Sequence, residues 1–145
     1  MLTDEHYMRA ALREAQRAFD EEEVPIGAVI ECEGLIIGKG YNQVERLKDP
    51  TAHAEILAIT AATQYLNSKY LKDCTLYVTV EPCVMCAGAL RWAQLARVVF
   101  GAAEPKTGFS RVSQEILHPK TLLSSGVMEF ECAQLMQDFF RRKRK

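Results

Sequence analysis

The chain predicts a three-layer α/β/α fold built on a central mixed sheet of about five strands. Three observations carry this. Strand-like and helical segments follow one another in the order ββαβαβ, and further helices stand at both ends. No repeat, low-complexity stretch or Gly/Ser linker interrupts the 145 residues. One domain over residues 1–145 is therefore expected, because domains most often run to about 100–150 residues. A chain of this length buries enough surface to need no disulfide scaffold.

Residues 4–20 read as a helix. Thr3 can cap it, Asp4 and Glu5 suit its first turn, and Met8, Leu12, Ala15 and Phe19 recur at helical spacing. Pro25 ends the polar link that follows. Two strand-like runs come next, 26–32 and 35–41, joined by a short turn containing Gly34. Asp49-Pro50-Thr51 introduces a second helix over AHAEILAITAATQYL, with Thr51 or Asp49 as its cap. CTLYVTV (74–80) is a β-branched strand that Glu81-Pro82 halts. VMCAGALRWAQ reads as a short helix with proline near its start, and ARVVFGA (96–102) as another buried strand. Residues 103–120 are loop-like, and Leu122–Leu123 is a brief apolar segment. A basic helix over about 128–145 closes the chain, with Cys132, Leu135, Met136, Phe139 and Phe140 as its apolar face.

Composition excludes several functions. Apolar runs are only a handful of residues long, far below the ~18 that a membrane span requires. The charged N-terminus has no hydrophobic signal core, so a cytoplasmic location is expected. The net charge of -1 argues against a protein that coats nucleic acid. That total hides an asymmetry: residues 141–145 are all basic, and the rest carries 13 basic against 19 acidic residues. Two readings of the tail stand, a solvated helix end matched to the dipole and a nucleic-acid contact.

Five cysteines and no signal segment fit a reducing compartment. Cys32, Cys74 and Cys132 lie in apolar stretches and read as small core residues. Cys83 and Cys86 form the one close pair. Their spacing puts both sulfurs on one helix face, at a helix start that favours thiolates. His53, also at a helix start, can add a nitrogen. Cys2His with an open fourth position is the pattern of catalytic zinc. A fourth ligand from His118, Cys74 or another cysteine stays open at this level. Glu55 is a non-ligand carboxylate next to that position, able to take a proton from water, which makes the arrangement hydrolytic in design. H-A-E followed 27 residues later by P-C-x-x-C matches the signature of zinc nucleobase deaminases.

Beyond that signature, the chain resembles the tRNA-specific adenosine deaminases of the cytidine deaminase-like superfamily. The likeness runs through EVPIGAV (23–29), GKGYN (38–42), DPTAHAEI (49–56), TLYVTVEPCVMCAGAL (75–90), RVVFGA (97–102), PKTG (105–108) and the ending ECAQLMQDFFRRKRK. The resemblance implies a cytidine deaminase-like fold and one zinc per subunit, held by His53, Cys83 and Cys86. It implies Glu55 as proton shuttle in the hydrolysis of adenosine to inosine at the wobble position of a tRNA anticodon loop, where bases are already unstacked. It also implies a homodimer, with Asn42 hydrogen-bonded to the substrate nucleoside. From the residues alone, Asn42 equally suits a turn cap after a strand.

The remaining candidates on the substrate side are Ala54, Glu104, Lys106, Phe109 and Arg111. Phe109 and Arg111 sit in a polar loop and are candidates to stack on a nucleobase. Lys106, with Arg141, Arg142, Lys143 and Arg144 of the tail, suits phosphate contacts. Glu104 fits either a substrate groove or open solvent. Trp92 and Phe100 are expected in the core or a dimer interface, and Met85 against the core. Phe109-Ser110-Arg111-Val112 departs from the small residues common after Lys-Thr-Gly in that family. The departure motivates an alternative, deamination of a free base, nucleoside or nucleotide such as guanine, cytosine or dCMP. A non-catalytic zinc-bound RNA-binding module is the third reading.

Overall fold

The computed structural model describes residues 2–143. Helix α1 (Asp4–Asp20) precedes the hairpin of β1 (Gly27–Cys32) and β2 (Leu35–Tyr41). There follow α2 (Val44–Leu47), α3 (Ala54–Leu66), β3 (Cys74–Val80), α4 (Val84–Ala93), β4 (Arg97–Ala102), β5 (Leu122–Ser125) and α5 (Glu129–Lys143). The strands form one sheet in the order β2-β1-β3-β4-β5. β1 pairs antiparallel with both β2 and β3, whereas β3–β4 and β4–β5 are parallel. The expected five-stranded mixed sheet is what forms.

Side-chain alternation along the strands builds the three layers. Ala28, Ile30, Leu76, Val78, Val98 and Phe100 face α3 and α4 and are buried with Ala58, Ala62, Ala87 and Leu90. Val29, Tyr77 and Val99 face the other way, against Tyr7, Met8 and Ala11 of α1 and Cys132 of α5. Burial on both faces is why β3 and β4 read as continuous apolar runs. Helix α3 lies close on the sheet because Gly38 and Gly40 of β2 sit beneath Ala54, Ala58 and Ala62. A Cβ at Gly40 would stand 2.3 Å from the Ala54 carbonyl oxygen. Across the other layer, the Arg97 guanidinium donates to both Asp4 oxygens at 2.8 Å and the Tyr77 hydroxyl donates to Asp4 Oδ1 at 2.8 Å. This ties the start of α1 to the centre of the sheet.

Several expectations are corrected. The second long helix starts at Ala54 with His53 as its cap residue, not Thr51 or Asp49. The Asp49 carboxylate instead accepts the Thr51 N–H and hydroxyl in a local turn, at 2.8 and 2.7 Å. Helix α2 has no periodic signal because it is a single turn. Its first N–H groups, those of Glu45 and Arg46, donate to the buried carboxylate of Glu23 at 3.1 and 2.8 Å. Met85, expected against the core, is 39% exposed; of the two aromatics expected in the core or a dimer interface, Phe100 is in the core and Trp92, 76% exposed, is not. Phe140, placed on the apolar face of the last helix, is 43% exposed, while Cys132 and Phe139 on the same face are buried.

Candidate active site

The turn after β2, the end of β3 and the starts of α3 and α4 meet at one end of the sheet. His53 and Cys83 are the cap residues of α3 and α4, both with extended backbone, so each side chain stands in front of a helix start. Cys86 lies one turn into α4. His53 Nδ1 is 3.7 Å from Cys83 Sγ and 3.5 Å from Cys86 Sγ. The three donor atoms lie within 4.8 Å of one another, the one such group among the described residues. Tetrahedral zinc, with bonds of about 2.3 Å to sulfur and 2.0–2.1 Å to nitrogen, separates S from N by about 3.5 Å. The donor set therefore fits zinc in identity and spacing. His118 and Cys74 do not join it. His118 Nδ1 accepts the Lys120 N–H at 3.1 Å, and Cys74 begins β3 at the far end of that strand.

The electrostatics suit a cation. Hydrogen bonding to Cys86, then to His53, pulls the Cys83 thiol down to about 4. The Cys86 thiol is pushed up by the bond to Cys83 and by burial. The unpaired N–H groups opening α4 add to the pull on thiolate charge. His53 is raised chiefly by its bond to Cys83. Glu55, in the first turn of α3, is 3% exposed, and burial pushes it up to about 7. A buried, titratable carboxyl thus stands beside three metal-type donors that leave a fourth position free.

Asn42 is buried, and its Oδ1 accepts the Ala54 N–H at 2.8 Å. A residue from the end of β2 thereby satisfies the first helical N–H of α3, which His53 does not cap. Ala54 is fully buried and its N–H is committed to that bond. Glu104 is half-buried, and its Oε1 accepts the Lys106 N–H at 2.9 Å; Lys106 is exposed. Arg111 is exposed and donates to the Pro105 carbonyl at 3.1 Å. Phe109 corrects its expectation: it is 0% exposed and belongs to the core beneath α4, so its ring is not available to stack on a base. The physical reason lies in the backbone. The Phe109 N–H donates to the Pro82 carbonyl at 2.9 Å, and Gly108 pairs with Cys83, which turns the ring inward.

Arg141, Arg142 and Lys143 are exposed on α5, on the α1 side of the sheet; Arg144 lies outside the described residues. Arg142 lies over the Phe19 ring at 5.0 Å and Lys143 over Phe139 at 5.6 Å. Three buried carboxylates escape sequence reasoning, Glu14, Glu23 and Glu81. Glu81 had a signal, a lone acidic residue between an apolar strand and Pro-Cys. Glu23, the last of three glutamates, had none.

Comparison with known proteins accords with this geometry. Residues 1–102 match the family model described as the cytidine and deoxycytidylate deaminase zinc-binding region. The chain is 47% identical over 144 residues to a tRNA-specific adenosine deaminase of Aquifex aeolicus, covering 97% of this chain and 95% of that protein. It is 43% identical over 150 residues to the enzyme of that name in Bacillus subtilis, covering 100% and 93%. A solved structure from studies of A-to-I editing by tRNA:A34 deaminases superposes with a TM-score of 0.83 at 39% identity, covering 90% of this chain and 98% of that one. A hydrolytic site of this form, on this sheet, with relatives matched from end to end, leaves one conclusion about kinship: the chain belongs to the cytidine and deoxycytidylate deaminase family, on the branch that includes tRNA-specific adenosine deaminases.

Proposed function

We propose that the protein is a zinc-dependent hydrolytic deaminase that converts adenosine to inosine in tRNA, at the wobble position of the anticodon loop. The observation that carries the reading is the buried carboxyl of Glu55 beside the His53–Cys83–Cys86 donor set. One zinc ion per subunit would be held by His53, Cys83 and Cys86. When bound, it supplies the Lewis acidity that makes water a nucleophile at neutral pH. Glu55 then works as the proton carrier: it takes a proton from the attacking water, gives one to adenine N1, and delivers another to the departing amino group. Its position in a dry pocket, with a pKa near working pH, suits both directions of transfer. Asn42 holds the start of α3, and with it Glu55, while its amide group serves the nucleoside.

Lys106 and Arg111, exposed on the segment that abuts Cys83, suit contacts with the RNA backbone. Arg141, Arg142 and Lys143 offer a separate cationic strip. A second copy of the chain is assigned to the outer face of α4, where Val84, Met85 and Trp92 are exposed on the helix that carries Cys86. All five cysteines are free thiols, which suits the cytoplasm. The alternative substrate, a free base or nucleotide, drew its motive from residues 109–112. The burial of Phe109 weakens that motive, because the change feeds the core and not the substrate side.

The test is direct. Zinc-loaded protein is incubated separately with deacylated tRNA, adenosine, guanine, cytosine and dCMP, and products are read by mass spectrometry. Inosine in the anticodon loop is expected, and Glu55→Ala should abolish it while zinc stays bound. Turnover of a free base or nucleotide alone would overturn the tRNA assignment; full activity in Glu55→Ala would overturn the mechanism.

A further inference from the structure

Glu81 is 6% exposed and stands at the end of β3, two residues before Cys83. It is no part of the donor set, yet both its oxygens are engaged by the segment that follows β4. Oε1 accepts the Glu104 N–H at 3.1 Å. Oε2 accepts the Ser110 N–H at 3.0 Å and the Ser110 hydroxyl at 2.6 Å. Gly108 lies flat against the carboxyl group: a Cβ there would sit 2.4 Å from Glu81 Cδ. The neighbouring backbone joins in, through Phe109 N–H to the Pro82 carbonyl and the Gly108–Cys83 bridge. Residues 104–110 are thus folded around one side chain that emerges from the same strand end as Cys83. Their own contacts are local, Lys106 N–H to Glu104 and Arg111 to Pro105. No regular strand or long helix holds the segment at its middle.

We propose that Glu81 is a positioning residue, which fixes the 104–111 segment and its polar side chains Glu104, Lys106 and Arg111 against the mouth of the site at Cys83. An acceptor-only group suits this task, because loop backbone offers unpaired N–H donors that a buried side chain must satisfy. The proposal rests on the deaminase reading only for its kinetic arm. Glu81→Ala leaves the Glu104 and Ser110 N–H groups without their partner, so the segment should open more often. Trypsin cleavage after Lys106 and Arg111 in the zinc-loaded protein should accelerate by about tenfold or more, since cleavage follows the open population. The KM for tRNA should rise by a larger factor than kcat falls. Glu81→Gln, which keeps the shape and one acceptor oxygen, should recover part of both effects and serves where the alanine variant does not fold. Unchanged cleavage at these two bonds would overturn the proposal, as would loss of bound zinc without faster cleavage. If the wild-type protein leaves tRNA unmodified, the proteolysis arm still tests Glu81 by itself.

A second inference comes from the opposite end of the sheet. Cys32 and Cys74 are partners across the antiparallel β1–β3 pair, on the face covered by α3 and α4. The Cys74 N–H donates to the Leu71 carbonyl at 3.1 Å, and its carbonyl accepts the Ala96 N–H at 3.0 Å. Both peptide groups therefore turn away from β1, which makes this a non-hydrogen-bonded pair. Such pairs bring their Cα atoms to about 4.5 Å, within the roughly 4.4–6.8 Å that a disulfide spans. A cleft of about 480 Å³, lined by both cysteines with Leu66, Tyr70 and Lys72 among others, reaches the half-buried Cys32, with Cys74 beneath it at 1% exposed.

We infer that Cys32 and Cys74 form a disulfide-closing site for low-molecular-weight disulfides. The Cys32 thiolate attacks one sulfur of the oxidant, breaking its S–S bond and releasing one thiol. Cys74, giving its proton to solvent, then displaces the second thiol. The protein pair is oxidised by two electrons and the small disulfide is reduced to two thiols. The zinc-loaded protein is treated with oxidised glutathione, quenched by alkylation and mapped under non-reducing conditions. A linked Cys32–Cys74 peptide is expected, absent in Cys32→Ser and reversed by dithiothreitol. A persistent glutathione adduct on Cys32, or no reaction at either cysteine, would overturn the inference.

Discussion

Replacing Asn42 tests how the site is held together. In Asn42→Ala the Ala54 N–H loses its 2.8 Å acceptor in a buried setting, where no water replaces it. A buried donor left unpaired costs about 1–3 kcal/mol, and loss of a helix cap costs about 0.5–2 kcal/mol. These describe the same bond, so about 2 kcal/mol is the expected loss. At about 2–4 °C per kcal/mol for a chain near this size, the melting midpoint should fall by roughly 4–8 °C. Urea unfolding at fixed excess zinc is the assay, since bound metal itself adds stability. The midpoint should shift with an unchanged slope. Asn42→Asp keeps an acceptor oxygen and adds an anion at a helix start, so it should retain more than half of that stability. Both variants lose the amide donors and should raise the KM for tRNA. An alanine variant as stable as the wild type would refute the capping argument, and a wild-type KM in Asn42→Asp would refute the substrate role.

Four further outcomes are expected. Phe109→Ala should cost about 3–5 kcal/mol in urea unfolding, as for a filled core site; a ring that stacks on RNA would instead leave stability alone. The Asp4 carboxyl is held below its usual range by the Arg97 bond, so the pair stabilises the fold above the unfolded pKa and fails as pH falls through the depressed value. The stability gap between wild type and Asp4→Asn should accordingly be present at pH 7 and close below about pH 4, on the reference scale for aspartate. Trp92→Lys should convert a sedimenting dimer to monomer without unfolding it, because the side chain is exposed in the single chain. Truncation after Phe140 should weaken tRNA binding and reduce the salt slope by about 0.7–0.9 for each phosphate that the tail no longer neutralises; an unchanged slope would remove the tail from the interface.

Much of this protein was legible in its residues because local signals and tertiary needs agree. The strands 74–80 and 97–102 announce themselves as apolar runs, since both their faces are covered. Thr3 caps α1 as read, accepting the His6 N–H at 3.2 Å. The cluster of His53, Cys83 and Cys86 was identifiable because soft metal-type donors are few in kind and these three stand at helix starts. The errors at Phe109 and at the cap of α3 share one cause: they depend on partners remote in sequence. Phe109 looks like a loop aromatic until Pro82 and Cys83 turn its backbone inward. Asp49 and Thr51 look like caps until Asn42 takes over the first N–H of α3.

The sequence by itself determined the layers and pointed to the His53–Cys83–Cys86 cluster and the carboxyl of Glu55, since these rest on periodicity or on residue chemistry. Only the tertiary structure decided how these are held. Asn42 reaches across from β2 to the start of α3, glycines at 38 and 40 let that helix lie on the sheet, and Glu81 gathers the 104–110 segment beside Cys83. Each is a contact between segments that only the folded sheet brings together.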